Sequence, residues 1–434
     1  MNVREARIVK LISAKPRTFE ELVRDAWGVY PSELETILSD LERSGVLRKT
    51  TAGQWHTGQG AIAGQQAPSW DFPRGRRLQR IRRDVRRFVA TLPLPHPRDY
   101  DWRFSINGIE AFVQHMLKYY SPGDEVLLIA APTVYVYLRA LACFERLSLI
   151  ERSADTVAAI RSVFGESAGV HTHDLQQPWP LHLRSEVSCV LMDPPWYQDY
   201  FELFFSRVVE LMSLAGFVHT ALFPAFTRDT ALREREAIFT FAQSHGLSLV
   251  EVSQGALEYE SPPFENRSLV EKGQRIAATW RRGDIATFFV GQQFGRQTVA
   301  NVDSGTWREF RVGTSKIVLR IEGESTYEAP ALSTVEPDSP YLSTVSRRYP
   351  KRNDIGLWSS CQQAYSVRGA HVIETLLRHI VEGGTLASAV RELASEYGQD
   401  EARVGAECAQ SFACLRSIVD REKEHASKEL RSAD

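Results

Sequence analysis

The chain has 434 residues, 43% of them hydrophobic and 24% charged, and 52 Lys plus Arg against 54 Asp plus Glu leave a formal net charge of −2. That length predicts two or three domains, and the near-neutral balance excludes a global pull towards polyanions, so any such affinity must come from local patches. Five cysteines, Cys143, Cys189, Cys361, Cys408 and Cys414, stand singly in apolar stretches without a CxxC pair. This argues against a disulfide frame or zinc site and for reduced thiols in a cytoplasmic protein. There is no apolar signal core and no run long enough for a bilayer, so no membrane partner is expected.

Residues 5–13, 19–27 and 31–44 have the apolar spacing of three amphipathic helices. Pro31 suits the first turn of the third, Gly45 ends it, and two short strands follow around an Ala-Gly turn. Residues 1–58 therefore look like a winged helix-turn-helix. Its would-be recognition helix carries Glu33, Glu35, Asp40 and Glu42 against Arg43, a face that phosphates repel. Docking or oligomerisation suits it better than major-groove reading. Residues 59–98 hold a Gly, Gln and Pro-rich linker and then a basic helix over 74–87, with Arg74, Arg76, Arg77, Arg80, Arg82, Arg83, Arg86 and Arg87 around Asp84. Either this is a solvated, salt-bridged face or it is a nucleic-acid footprint.

Residues 99–295 read as an α/β domain. An apolar run over 123–133, a helix, and a second strand ending at Glu151 make a βαβ unit. Glu151 falls about 20 residues past the first turn, where nucleotide-binding folds keep the acid that holds ribose hydroxyls. A further helix and a strand ending at Asp174 follow. A fourth strand, Val187–Met192, leads into Asp193-Pro194-Pro195-Trp196. Two prolines fix φ and remove two donors, stiffening the loop and leaving its carbonyls free. Asp193 and the Pro194 carbonyl can then accept the hydrogens of an exocyclic amine while Trp196 or Tyr197 stacks on its ring.

These residues resemble the class I S-adenosylmethionine-dependent methyltransferases, and among them the nucleic-acid amino-methyltransferases with a (D/N)PP(Y/W) loop. The resemblance covers roughly 100–290. It implies a Rossmann-like fold, N-methylation of a planar amino group, and no metal. S-adenosylmethionine would lie over Ala130, Ala131, Pro132 and Thr133, its ribose on Glu151 and its adenine near Asp174. The family's first turn is glycine-rich, whereas Ala-Ala-Pro-Thr restricts the backbone and Pro132 lacks a donor. That implies either a modified cofactor pose or a degenerate pocket in a non-catalytic scaffold or regulator.

Beyond Trp196 the sequence predicts a helix ending at Gly216, a strand over 217–224, a helix over 226–246 and a strand over 247–259. A rigid loop at Pro262-Pro263-Phe264-Glu265 follows, then a hairpin over 277–290 with a Gly-Asp turn. With residues 100–116 ahead of the first strand, this layout is similar to the branched-chain polyamine synthases, which implies aminopropyl transfer as an alternative. Their acidic Gly-Asp-Asp-Asp run is missing, which argues against a polycationic acceptor. DNA, RNA, a polyamine, a peptide and a metabolite all remain open.

Residues 296–360 contain alternating runs typical of exposed strands. Arg347, Arg348, Lys351 and Arg352 surround Tyr349 and Trp358, a mixture suited to a stacked anionic ligand or simply to a solvated turn. Residues 361–434 read as a helical module. It loosely resembles the small peptide-binding modules that accompany peptide-modifying enzymes, with a generic helical cap as the alternative. The final fifteen residues should fray.

Overall fold

The structure is a computed structural model and describes residues 3–26, 28–58, 75–119, 125–141, 146–166, 168–180, 187–292 and 306–432. It comprises two compact units, one from Met1–Val89, Arg103–Ser261 and Ile276–Val302, the other from Ala90–Trp102, Pro262–Arg275 and Asp303–Asp434.

The first unit opens with α1 (Val3–Ala14), α2 (Phe19–Asp25) and α3 (Pro31–Arg43), then the antiparallel ribbon β1 (Leu47–Lys49) and β2 (Trp55–Thr57). A capping box starts α2: the Thr18 hydroxyl accepts the Glu21 amide while the Glu21 carboxylate accepts the Thr18 amide. Pro31 is the first residue of α3, where a missing donor costs nothing. Leu22, Leu34, Leu38, Leu41 and Leu47 are buried. The predicted linker and Arg74 lie outside the described residues. α4 (Arg76–Val89) turns Ile81, Val85 and Phe88 inward, and Arg82 Nε donates to Oε1 of the buried Glu110 at 2.6 Å.

Then come β3 (Arg103–Phe104), α5 (Ile106–Met116), β4 (Val126–Ile129), α6 (Pro132–Leu141), β5 (Leu147–Glu151), α7 (Ala154–Phe164), β6 (Val170–Thr172), β7 (Val187–Met192), α8 (Gln198–Val208), β8 (Met212–Leu222), α9 (Ala231–Ser244), β9 (Leu247–Glu260), α10 (Pro263–Glu271) and β10 (Arg282–Val290). α10 belongs to the second unit. The described strands form an eight-stranded sheet in the order β3-β9-β10-β8-β7-β4-β5-β6. β8, β7, β4, β5 and β6 run parallel, and β10 is antiparallel to both β8 and β9. Every residue of β4, and all of β7 but Ser188, is buried. Central parallel strands covered on both faces must be apolar throughout.

Three expectations for residues 199–290 are corrected. The helix predicted to end at Gly216 stops at Val208, and 212–222 is strand. Val208 and Val209 before Glu210, and Leu211 and Met212 after it, are apolar on both sides of that boundary, so periodicity shows no clear break. The Leu211 carbonyl already accepts the Val187 amide at 2.9 Å. Gly216 lies in a bulge where the pairing moves from Val187↔Met212 to Cys189↔Phe217. Secondly, Gly283-Asp284 is not a turn but part of β10, whose hairpin partner is β9. The Asp284 carboxylate is buried, accepts the Gly255 amide at 2.8 Å, and pairs with Arg235 at 2.5 Å. An ion pair thus holds a turn-forming residue inside a strand. Thirdly, Pro263 begins α10, so Pro262–Glu265 is no free loop.

In the second unit β11 (Thr306–Val312), β12 (Ser315–Ile321), β13 (Ala331–Thr334), β14 (Leu357–Ser359) and β15 (Ala364–Arg368) pair in the order β11-β12-β14-β15-β13. α11 (Ala370–Val381), α12 (Leu386–Tyr397) and α13 (Glu401–Ser432) follow. Ile317, Leu319 and Leu357 of the sheet share one core with Leu376, Leu393 and Leu415 of the helices. The boundary expected at 361 therefore falls inside the β14–β15 hairpin. Nor, among the described residues, is the tail irregular: α13 continues to Ser432. Its buried Glu422 accepts the Cys361 amide at 3.3 Å and the Gln363 side-chain amide at 3.2 Å. Cys189, Cys361 and Cys408 are buried free thiols and Cys414 is half-buried, while Cys143 lies outside the described residues. Among the described residues no helix is long and apolar enough to cross a membrane.

Candidate active site

Parallel pairing brings the C-terminal ends of β7, β4, β5 and β6 to one edge of the sheet. From β4 the chain proceeds outward through β5 and β6, then returns to the other side of β4 with β7 and β8. Strand order thus reverses between β4 and β7, and ligands of open α/β sheets bind in the crevice outside such a reversal.

The residues expected to hold the cofactor end these strands. Ala130 follows β4, donates its amide to the Ile150 carbonyl at 3.0 Å, and has φ 54°. An alanine in this left-handed conformation costs about 1–2 kcal/mol relative to a right-handed one. Ala131 and Thr133 are buried and Pro132 half-buried. Pro132 is the first residue of α6, so the loss of a donor inferred from sequence is corrected: that position has no intrahelical acceptor to meet. Glu151 ends β5, and its Oε1 accepts the Ser153 amide at 2.9 Å. Asp174 stands two residues beyond the end of β6 instead of at it, and its Oδ1 accepts the Gln176 amide at 2.9 Å. Arg207, buried on α8, fixes this turn by donating to the Leu175 carbonyl at 2.8 Å.

The proline loop adjoins the first turn. The Asp193 amide donates to the carbonyl of Ile129, the last residue of β4, at 3.1 Å, carrying the ladder one residue past the end of β7. Pro194 is buried, and the Pro195 carbonyl accepts the Tyr197 amide at 2.7 Å, where α8 begins. The Trp196 carbonyl accepts from Arg228 Nη2 at 2.9 Å, and Glu234 holds that guanidinium through its Nε at 3.0 Å. Arg281 lies 5.2 Å from the centroid of the Trp196 ring.

Sequence reasoning missed Tyr259. Its hydroxyl donates to Asp193 Oδ1 at 3.0 Å, and its ring packs on Phe104 at 4.5 Å and edge-on to Trp196 at 5.4 Å. Burial, followed by the Asp193 charge, pushes the phenol well above its ordinary pKa, so it remains a donor. Gly283 provides the room: a Cβ there would come within 3.0 Å of the Tyr259 ring and 3.2 Å of Trp196. The available signal was position, since Tyr259 lies near the end of β9, on the edge where β7 ends. Arg228, Arg281 and Arg207 carried none.

The residues expected to bind a stacked ligand belong to the second unit. Arg347 is half-buried and Arg348 exposed. Trp358 is corrected: it is 1% exposed, donates Nε1–H to Gln362 at 3.1 Å and carries Arg352 at 4.6 Å, which leaves it a core residue with no face for a ligand.

No family model and no curated protein matches the chain. Among solved structures, the C9 mutein of the branched-chain polyamine synthase from Thermus thermophilus, in complex with N4-aminopropylspermidine and 5'-methylthioadenosine, is similar. Its identity is 14%, covering 69% of this chain and 90% of that one, with a TM-score of 0.54. The synthase without the mutein changes, bound to the same two molecules, gives 15% identity, 69% and 92% coverage, and 0.51. The fold is the Rossmann-like class I methyltransferase fold. Within it, the left-handed Ala130 does sterically what glycine would do more cheaply, and α6 starts directly behind the turn.

Proposed function

We propose that the first unit is an S-adenosylmethionine-dependent transferase that N-methylates a planar amino group, of a nucleic-acid base or a related acceptor. The observation that supports this is the Asp193–Ile129 hydrogen bond at the strand-order reversal. It ties the proline-locked loop to the turn at 130–133. The residues fit the cofactor: Ala130 and Ala131 keep side chains short where backbone must approach, Glu151 offers a carboxylate at the end of β5, and Asp174 offers one two residues beyond β6. Bound there, S-adenosylmethionine supplies an electrophilic carbon on a sulfonium. Asp193 and the Pro194 carbonyl would accept the two amine hydrogens, and Trp196 or Tyr197 would stack on the acceptor ring. Tyr259, by donating to Oδ1, favours the ionised form of Asp193. The gain is chiefly one of positioning.

Aminopropyl transfer is the second reading, favoured by the fold shared with a protein whose structure holds N4-aminopropylspermidine. Against it, Arg281 sits over Trp196, and a cation at the acceptor loop repels a polyamine. The N-terminal helices and ribbon, taken as a winged helix, suit docking or oligomerisation, and α11–α13 suit a peptide or protein partner. The free, mostly buried thiols accord with a cytoplasmic setting.

Calorimetry with S-adenosylmethionine tests the proposal. We expect saturable binding that Glu151→Ala weakens about 10–100-fold, the loss of one charge-assisted hydrogen bond. Absence of binding would replace the enzyme with a scaffold of the same fold. With binding established, radiolabelled transfer to nucleic acid, polyamine and peptide acceptors separates the two reactions.

A further inference from the structure

The charge on α4 has no part in the site at 130–197. Arginine recurs at 76, 80, 83 and 87, and at ~100° and ~1.5 Å per residue these four fall within an arc of about 60°. They rise over ~16 Å in steps of ~4.5–6 Å. Ile81, Val85 and Phe88 occupy the opposite side and are buried. The four arginines are exposed, as are Arg77 and Arg86 beside them.

The helix holds seven arginines and one acid, Asp84. Two of the seven are engaged elsewhere: Arg82 with Glu110, and Arg77 with the Leu141 carbonyl at 3.4 Å. Asp84 lies 3.7 Å from Arg80 and 3.4 Å from Arg83. Such exposed pairs contribute ~0–1 kcal/mol and give way readily to a better anion. Arg76 and Arg87 form no ion pair with any described residue.

We propose that this stripe binds the phosphodiester backbone of a nucleic acid. Four guanidinium forks at a near-constant step suit an anion that repeats along a line, as phosphates do and the carboxylates of a protein surface do not. A membrane is disfavoured because insertion needs a free apolar face, and the apolar face of α4 is already spent in the core. No aromatic side chain lies in the stripe, so the contact is with the backbone and is indifferent to sequence.

The test is fluorescence anisotropy with the full chain, without S-adenosylmethionine, so that its outcome is independent of the transferase reading. Labelled single-stranded RNA, single-stranded DNA and duplex DNA of one mixed sequence are compared. Four phosphate contacts predict that affinity falls ~50-fold for a single strand, or ~150-fold for a duplex, between about 50 and 200 mM salt. The lowest Kd at a common salt concentration identifies the preferred form. In R76Q/R80Q/R83Q/R87Q, which leaves Arg82 and the apolar face intact, binding and salt slope should collapse while the circular dichroism and Tm stay unchanged. The proposal is overturned by no binding at the lowest salt, or by a variant that keeps the wild-type slope. Competition by polyglutamate as effective as by unlabelled nucleic acid would also overturn it, in favour of an acidic protein partner.

Discussion

At the scale of single residues, the Tyr259–Asp193 contact is the most consequential. Under the proposed mechanism Asp193 must be ionised to accept amine hydrogens, and hydrogen bonding to the charged form lowers a carboxyl pKa. Tyr259 is 1% exposed and held by Phe104 and Trp196, so the donor is prepositioned. Tyr259→Phe keeps the ring and removes the donor. A hydrogen bond to a charged group is worth about 1.5–3 kcal/mol, and about 1.4 kcal/mol is tenfold in rate. kcat/KM should therefore fall about 10–100-fold, with the affinity for S-adenosylmethionine unchanged. A variant with wild-type kcat/KM would reduce Tyr259 to a packing residue. Asp193→Asn should lose transfer and keep cofactor binding.

At the scale of elements, legibility followed burial. β4 and β7 announced themselves because strands covered on both faces are apolar throughout, and Glu151 and Asp193 were found because they close such runs. Three features were illegible for definite reasons. The α8–β8 boundary lies among apolar residues on both sides of Glu210, and β10 hides a turn-forming Gly283-Asp284 held by Arg235. The polar end of α13 reads as a fraying tail because a buried acid, Glu422, and not an apolar stripe, does most of its anchoring. Tyr259 went unseen for a related reason: with the last hairpin misplaced, β9 had no position relative to β7. The α13 anchor makes a prediction. Glu422 is 0% exposed, and burial, opposed by its hydrogen bonds, raises its pKa. Glu422→Ala would strand the Cys361 amide and the Gln363 side chain and should cost about 2–4 kcal/mol in urea unfolding. Glu422→Gln keeps an acceptor oxygen and should cost under about 1 kcal/mol. Equal losses in the two variants would show that packing, not hydrogen bonding, fixes the end of α13.

At the scale of the whole molecule, both units should weaken on acidification, because each contains histidine buried in the neutral form. In the first unit, Thr287 Oγ1 lies 2.7 Å from His115 Nε2 and 3.0 Å from His219 Nδ1. A hydroxyl has one hydrogen, so it donates to one ring while accepting from the other; with both rings protonated it would face two donors. Burial depresses His115 to about 4 and His219 to about 3, the nearby Glu251 partly opposing the first shift and Lys118 adding to it. In the second unit, His96 Nε2 bonds the Trp358 carbonyl at 3.2 Å while Nδ1 accepts the Arg98 amide at 3.1 Å. Burial, aided by the Lys316 charge, holds it at about 3. In each case the unfolded chain takes up protons from pH ~6.5 downward and the folded one does not. The stabilisation is thus complete above pH ~6.5 and lost as pH falls towards 4 and 3, by up to ~1.4 kcal/mol per pH unit for each group. Urea midpoints measured from pH 7 to pH 5 should fall in wild type and fall less in His219→Gln, whose side chain cannot be protonated. A flat wild-type profile, or an unchanged slope in the variant, would mean that the shared Thr287 hydroxyl tolerates a charged ring.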